Sequence, residues 1–171
     1  MGSEPFGERL RIMVMRTSCA TASASVSAEL DAVFVTVTIA DPVRFYPRSG
    51  ILPAVVEVRD QDGAWDAVGH TRTIVLGGGG SVRERIDVAE APRCFAYELT
   101  EFRGVFGLLV ESARSEWRFT GTGARTTIEW RYSFRARTGR GPVVAAIVRF
   151  AWAPYMIRVL SSLVAEVERT A

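Results

Sequence analysis

The clearest pattern along the chain lies at 125–137, where Ile128, Trp130, Tyr132 and Phe134 alternate with Thr127, Glu129, Arg131, Ser133 and Arg135. Period-two alternation of this length predicts a strand with one dry and one wet side, and so an antiparallel sheet covered on one face. Further strands are predicted over 54–60, 65–76, 81–88, 93–102 and 113–123. The small-residue alternation of 19–26 predicts a first strand beside a crowded neighbour. Asp62-Gly63 reads as a hairpin signal. After the first strand, 27–34 reads as a short helix with Ser27 as N-cap and Leu30, Val33 and Phe34 on one face. Residues 41–50, with two prolines and a Ser-Gly, read as turns or a second short helix.

The chain ends in a predicted long helix, with Pro142 in its first turn, where a missing N–H is harmless. Before Pro154 the apolar stripe is Val144, Val148, Ala151, Trp152 and Tyr155; after it, Met156, Leu160, Leu163, Val164 and Val167. At ~100° per residue the two stripes are offset by roughly a third of a turn, as an interior proline that kinks the helix would produce. Arg149 and Arg158 interrupt the apolar run, so it reads as a buried helix face and not a stable membrane insertion. The predicted fold is α+β, a curved seven-stranded antiparallel sheet wrapped around the long C-terminal helix, with two short helices after the first strand. A cavity is expected beneath the bend.

Length and composition bound the reading. The 171 residues make one domain over 17–171 behind a flexible lead-in at 1–16. The apolar part of that lead-in is too short for a signal peptide, and Glu8 and Arg9 precede it. Hydrophobic residues at 48% and charged residues at 23% suffice for a real core. A net charge of +2 with no basic stripe predicts no nucleic-acid partner. Cys19 and Cys94 form no C-x-x-C and predict buried free thiols in a reducing cytoplasm. With His70 as the single histidine, no metal site and no cofactor are expected.

Gly77, Gly78, Gly79 and Gly80 raise the question of a phosphate loop. A phosphate loop needs a helix after its glycines, and here "SVRERID" reads as a strand. The glycines therefore join two strands, either as a tight turn or as a mobile flap at a cavity mouth. Beyond them Val82, Glu84 and Ile86 share a strand face opposite Arg83 and Arg85, which turns a carboxylate inward. On the neighbouring strand His70, Arg72, Ile74 and Leu76 share a face. A three-residue loop sets Arg72 across from Glu84, and a four-residue loop sends Arg72 to the wet side. The pair would be a buried structural ion pair, a ligand anchor or an acid/base pair; His70 would be a proton shuttle or a satisfied strand histidine. Tyr97 alternates with Phe95 and Leu99, and Trp117, Phe119, Trp130, Tyr132 and Phe134 form an aromatic inner face. These, with Trp152 and Tyr155 flanking Pro154, read as core or as the wall of a pocket for a flat polycyclic or acyl ligand.

The motifs "VGHTRTIVL", "RERID" and "IEWRYSF" before a C-terminal helix resemble the START/SRPBCC superfamily, the helix-grip fold, over roughly residues 18 to 169. The chain looks most like its bacterial branch, the polyketide cyclase/dehydrase and lipid-transport proteins. Val68, Gly69 and Arg72, with Glu84, Arg85 and Asp87, also resemble the plant abscisic-acid receptors of this superfamily. There the loop at the position of Gly77 to Gly80 is a gate, although the gate sequence Ser-Gly-Leu-Pro-Ala is absent here. The resemblance implies a binder or carrier of a small hydrophobic molecule, polyketide-like, lipid or polycyclic. The alternatives are a polyketide cyclase/aromatase using Glu84, Arg72, His70 and Tyr97, or a regulatory module whose gate reports ligand to a partner. A homodimer is compatible with each.

Overall fold

A computed structural model describes residues 16–170; the lead-in expected at 1–16 lies, Arg16 apart, outside the described residues. The strands are β1 (Thr17–Val26), β2 (Val55–Arg59), β3 (Thr71–Leu76), β4 (Gly80–Glu90), β5 (Cys94–Arg103), β6 (Val110–Thr122) and β7 (Arg125–Ala136). They form one antiparallel sheet in the order β1-β7-β6-β5-β4-β3-β2. Two short helices, α1 (Leu30–Thr38) and α2 (Pro42–Phe45), follow β1. The chain closes with α3 (Gly141–Ile147), a π-helical turn (Val148–Trp152) and α4 (Ala153–Thr170). This is the helix-grip architecture.

The alternation of β7 is carried into burial. Thr126, Ile128, Trp130, Tyr132, Phe134 and Ala136 are buried, while Glu129, Arg131 and Arg135 face water. Across from these aromatics β1 places alanines, Ala20 against Tyr132 and Ala22 against Trp130. Small against large lets the C-terminal helix lie close to the sheet, which is the crowding that the β1 composition implies. The helix buries Val144 before the π-turn, Val148 within it, and Tyr155, Met156, Val159, Leu160, Leu163 and Val167 after it. Its length and composition would let it cross a membrane, but here its apolar side is the core.

The wide turn explains the offset stripes. Pro154 lacks an N–H, and the Ala153 N–H reaches back five residues to the Val148 carbonyl. One extra residue in a turn rotates the buried face by about 100°.

Three local expectations are corrected. The strand read over 65–76 begins at Thr71, because Gly63, Trp65 and Gly69 adopt positive φ and break it. Asp62-Gly63 is therefore part of a long 60–70 loop between β2 and β3, held by Asp62 N–H to Thr71 C=O and Gly69 N–H to Ile86 C=O. Helix α1 starts at Leu30 with Glu29 as N-cap, and Ser27 caps nothing. The thiols are unpaired, but Cys19 is exposed and Cys94 half-buried, since odd positions of β1 face water and Cys94 opens a strand.

Helix α2 is tied to α4 by Arg44, whose Nη1 and Nη2 donate to both oxygens of Glu166 at 2.9 and 2.7 Å. Hydrogen bonds from Arg169 and Arg44 pull the Glu166 carboxyl from 4.5 to about 2. A depressed carboxylate favours the folded state above its ordinary pKa and loses that contribution as pH falls through the folded one. The tie is thus expected to persist at pH 4.5 and to release toward pH 2. Side-chain carboxyl NMR of Glu166 would check this; a midpoint near 4.5 would mean that the arginines do not hold it.

Candidate functional site

The sheet's buried face and the C-terminal helix, with its π-turn, enclose a cavity of about 130 Å³. At ~30 Å³ each that is room for about four water molecules, and it is smaller than the roughly 300–1,000 Å³ of most small-molecule sites. Its wall is mostly apolar and comes from every layer: Val37 of α1, Leu52, Ile74 of β3, Leu99 of β5, Phe134 of β7 and Val148 of the π-turn among others.

The polar end is built by β3 and β4. Leu76 pairs with Gly80, so the glycine connection is a three-residue loop, and this register sets Arg72 directly across from Glu84. Gly78 and Gly79 both sit at φ +85°, which glycine adopts at no steric cost. Arg72 and Glu84 are 7% and 6% exposed, and Arg72 Nε donates to Glu84 Oε2 at 2.6 Å. The β2–β3 loop then folds Trp65 back over the pair, with the Arg72 guanidinium carbon 3.8 Å from the ring centroid. Trp65 is 3% exposed, sits at φ +58° and meets Tyr97 edge-on at 5.8 Å. A left-handed tryptophan is costly locally and is held by this packing.

Four tyrosines share the cavity. Burial, then the proximity of Glu84, pushes Tyr97 up to about 12. Burial, followed by Tyr97, raises Tyr132 well above the usual phenol value, and burial with Tyr97 and Tyr132 does the same to Tyr46. Burial likewise pushes Tyr155 up to about 12, and its hydroxyl donates to the Pro47 carbonyl at 2.7 Å, tying helix to loop. These hydroxyls stay protonated at neutral pH and serve as donors. Trp152 Nε1 is buried and has no partner among the described residues, a further donor in the wall.

Of the residues singled out from sequence, Arg72, Glu84, Ile74, Leu76, Tyr97, Trp117, Tyr132, Phe134, Trp152 and Tyr155 line the cavity. Trp130 and Phe119 do not. Trp130 is fully buried, stacked on Trp117 at 4.3 Å with its Nε1 donating to Ser115 Oγ at 2.9 Å, and so lies within the core. Phe119 packs edge-on against Phe34 at 5.3 Å, beneath α1. His70 also lies off the wall. Because the strand starts at Thr71, His70 belongs to the loop; its ring covers Gly63 and its Nδ1 is 3.5 Å from Asp66. Gly77 to Gly80 are not part of the wall, and Gly77 N–H is anchored to Ala54 C=O. Tyr46 and Trp65 escape sequence reasoning, since both come from irregular segments where no period points inward.

Residues 18–168 match the protein family described as polyketide cyclase / dehydrase and lipid transport. Among curated proteins none matches in sequence. Similar solved structures include norcoclaurine synthase from Thalictrum flavum in complex with dopamine and hydroxybenzaldehyde, at TM-score 0.65 and 14% identity over 97% of this chain and 95% of that one. The Zhui aromatase/cyclase from Streptomyces sp. R1128 is similar at TM-score 0.66 and 17% identity, over 90% and 94%. The di-domain ARO/CYC StfQ of the steffimycin biosynthetic pathway is similar at TM-score 0.70 and 13% identity, over 95% of this chain and 55% of that one. At these identities the likeness is one of fold.

Proposed function

From the premise that this chain belongs to the polyketide cyclase/dehydrase and lipid-transport family, we propose that it binds a small hydrophobic molecule in the cavity between sheet and helix, as a carrier or binding protein. The observation that supports this reading most is the character of the wall. It is apolar and aromatic, and its charged groups, Arg72 and Glu84, are bonded to each other. The tyrosine hydroxyls are held neutral, so they orient a ligand oxygen by donation and do not act as bases. The volume suits a single ring or a short acyl chain. The unpaired thiols fit a cytoplasmic setting.

A second reading, ring closure of a polyketide-like chain, has one specific observation behind it. Donors from Tyr46, Tyr97, Tyr132 and Trp152 converge on the same space as a carboxylate, Glu84. Enolising and folding a poly-β-ketone needs little more than shape, donors and a weak acid or base. Glu84→Gln separates the readings: lost turnover with retained binding supports the cyclase, and lost binding alone supports the carrier.

The direct test is to extract the purified protein, identify the released mass, and titrate an apolar fluorescent dye. Val82, buried on the wall, is the place to fill. Val82→Phe is expected to weaken dye binding at least tenfold at a stability cost of about 1–3 kcal/mol. Unchanged affinity in a folded V82F would put binding elsewhere and overturn the proposal.

A further inference from the structure

We propose that the rim around the helix bend docks peripherally on an anionic lipid surface, with the cavity turned toward the bilayer. This inference is independent of what the cavity holds. Its first support is exposed apolar surface where a water-soluble rim would carry polar groups. Phe150 is 72% exposed and Ile51 67%. They line one shallow groove with Ala146, Ile147, Pro154 and Arg158, on the outer side of the helix. Ile147 also lines the cavity, so groove and cavity share a wall. The turn between β5 and β6 adds Val105 at 73% and Leu108 at 67%, flanking the cavity residue Phe106.

The second support is charge. The segments carrying these side chains, 42–56, 102–110 and 130–165, contain no Asp or Glu. They do contain Arg48, Arg103, Arg137, Arg140, Arg149 and Arg158, all exposed. Of the acids bordering these segments, Glu57 pairs with Arg59, Glu111 with Arg16 and Arg135, and Glu166 with Arg44 and Arg169, so the six exposed arginines above pair with none of these three. A chain of net charge +2 thus carries an excess of arginine on the segments that supply these exposed apolar side chains. All 21 basic residues are arginines, whose forked guanidinium groups match phosphate oxygens. Exposed aromatic and aliphatic side chains among arginines are the composition of an interfacial surface: the apolar groups enter the acyl boundary and the cations meet the headgroups. An acidic protein would match the arginines but leave Phe150 and Ile51 without a role.

The test is flotation of the full chain with vesicles. It is expected to float with phosphatidylcholine vesicles containing phosphatidylglycerol, not with phosphatidylcholine alone, and to be released by 1 M salt, where the Debye length falls to about 3 Å. The double variant F150S/I51S is expected to bind at least tenfold more weakly, and R149S/R158S several-fold more weakly. F150S/I51S keeps the wild-type melting temperature because these side chains are exposed, and R149S/R158S stays folded with a small loss from the Arg158–Ser49 bond. No flotation with the anionic vesicles overturns the proposal. So does flotation indifferent to F150S/I51S; equal retention on polyglutamate beads would then point to an acidic protein.

Discussion

Replacing Glu84 by Leu is expected to cost about 3–5 kcal/mol of stability, while Arg72→Met combined with Glu84→Leu recovers most of the loss. The pair is almost fully withdrawn from water, joined by one 2.6 Å hydrogen bond and lidded by Trp65. Removing the carboxylate strands a guanidinium among Ile74, Val82 and Tyr97, which cannot solvate it. Removing both charges leaves a cavity wall of similar volume with nothing unpaired. Urea denaturation of both singles and the double gives the coupling directly. Additive losses would show that the two charges are solvated and that the pair does not exist as described. The double variant also separates the roles the pair could have. A folded R72M/E84L protein that still binds its ligand assigns the pair to strand register; one that has lost binding assigns it to ligand anchoring.

The second large effect is expected at Trp130. Trp130→Ala should lower stability by about 3–5 kcal/mol, since a fully buried indole leaves a hole that its neighbours only partly fill. It would also leave Trp117 without its stacking partner and Ser115 without its donor. Trp117→Ala is the contrasting variant. Its indole lines the cavity, so the same truncation enlarges the site. It is expected to shift dye binding toward larger molecules for a smaller loss of stability. Thermal melts together with a dye-size series check both. Equal losses with no change in size preference would place Trp117 in the core as well.

Much of the architecture was legible before any coordinates, because periodicity reports burial. The alternation of β7, the small residues of β1 and the offset stripes about Pro154 each follow from local rules, and each appears where those rules put it. The inward face of β4, with Glu84 between Val82 and Ile86, was legible for the same reason. Aromatic residues on inner faces were found, but period alone does not separate those that line a space from those that fill one. Trp117 and Trp130 are direct cross-strand partners with identical patterns, and only the stacking geometry leaves one at the wall and the other behind it.

The local order of polar and apolar residues by itself determined the sheet, the covering helix, the irregular turn that precedes Pro154 and the inward carboxylate, since each depends on neighbours a few residues away. The tertiary structure alone decided the rest. It counted the glycine turn as three residues and so brought Arg72 to Glu84, a choice that a one-residue slip would reverse. It broke the predicted 65–76 strand at positive-φ residues, which took His70 off the wall and put Trp65 over the arginine. Side chains far apart in sequence meet only when the chain closes on itself, and no local period encodes that meeting.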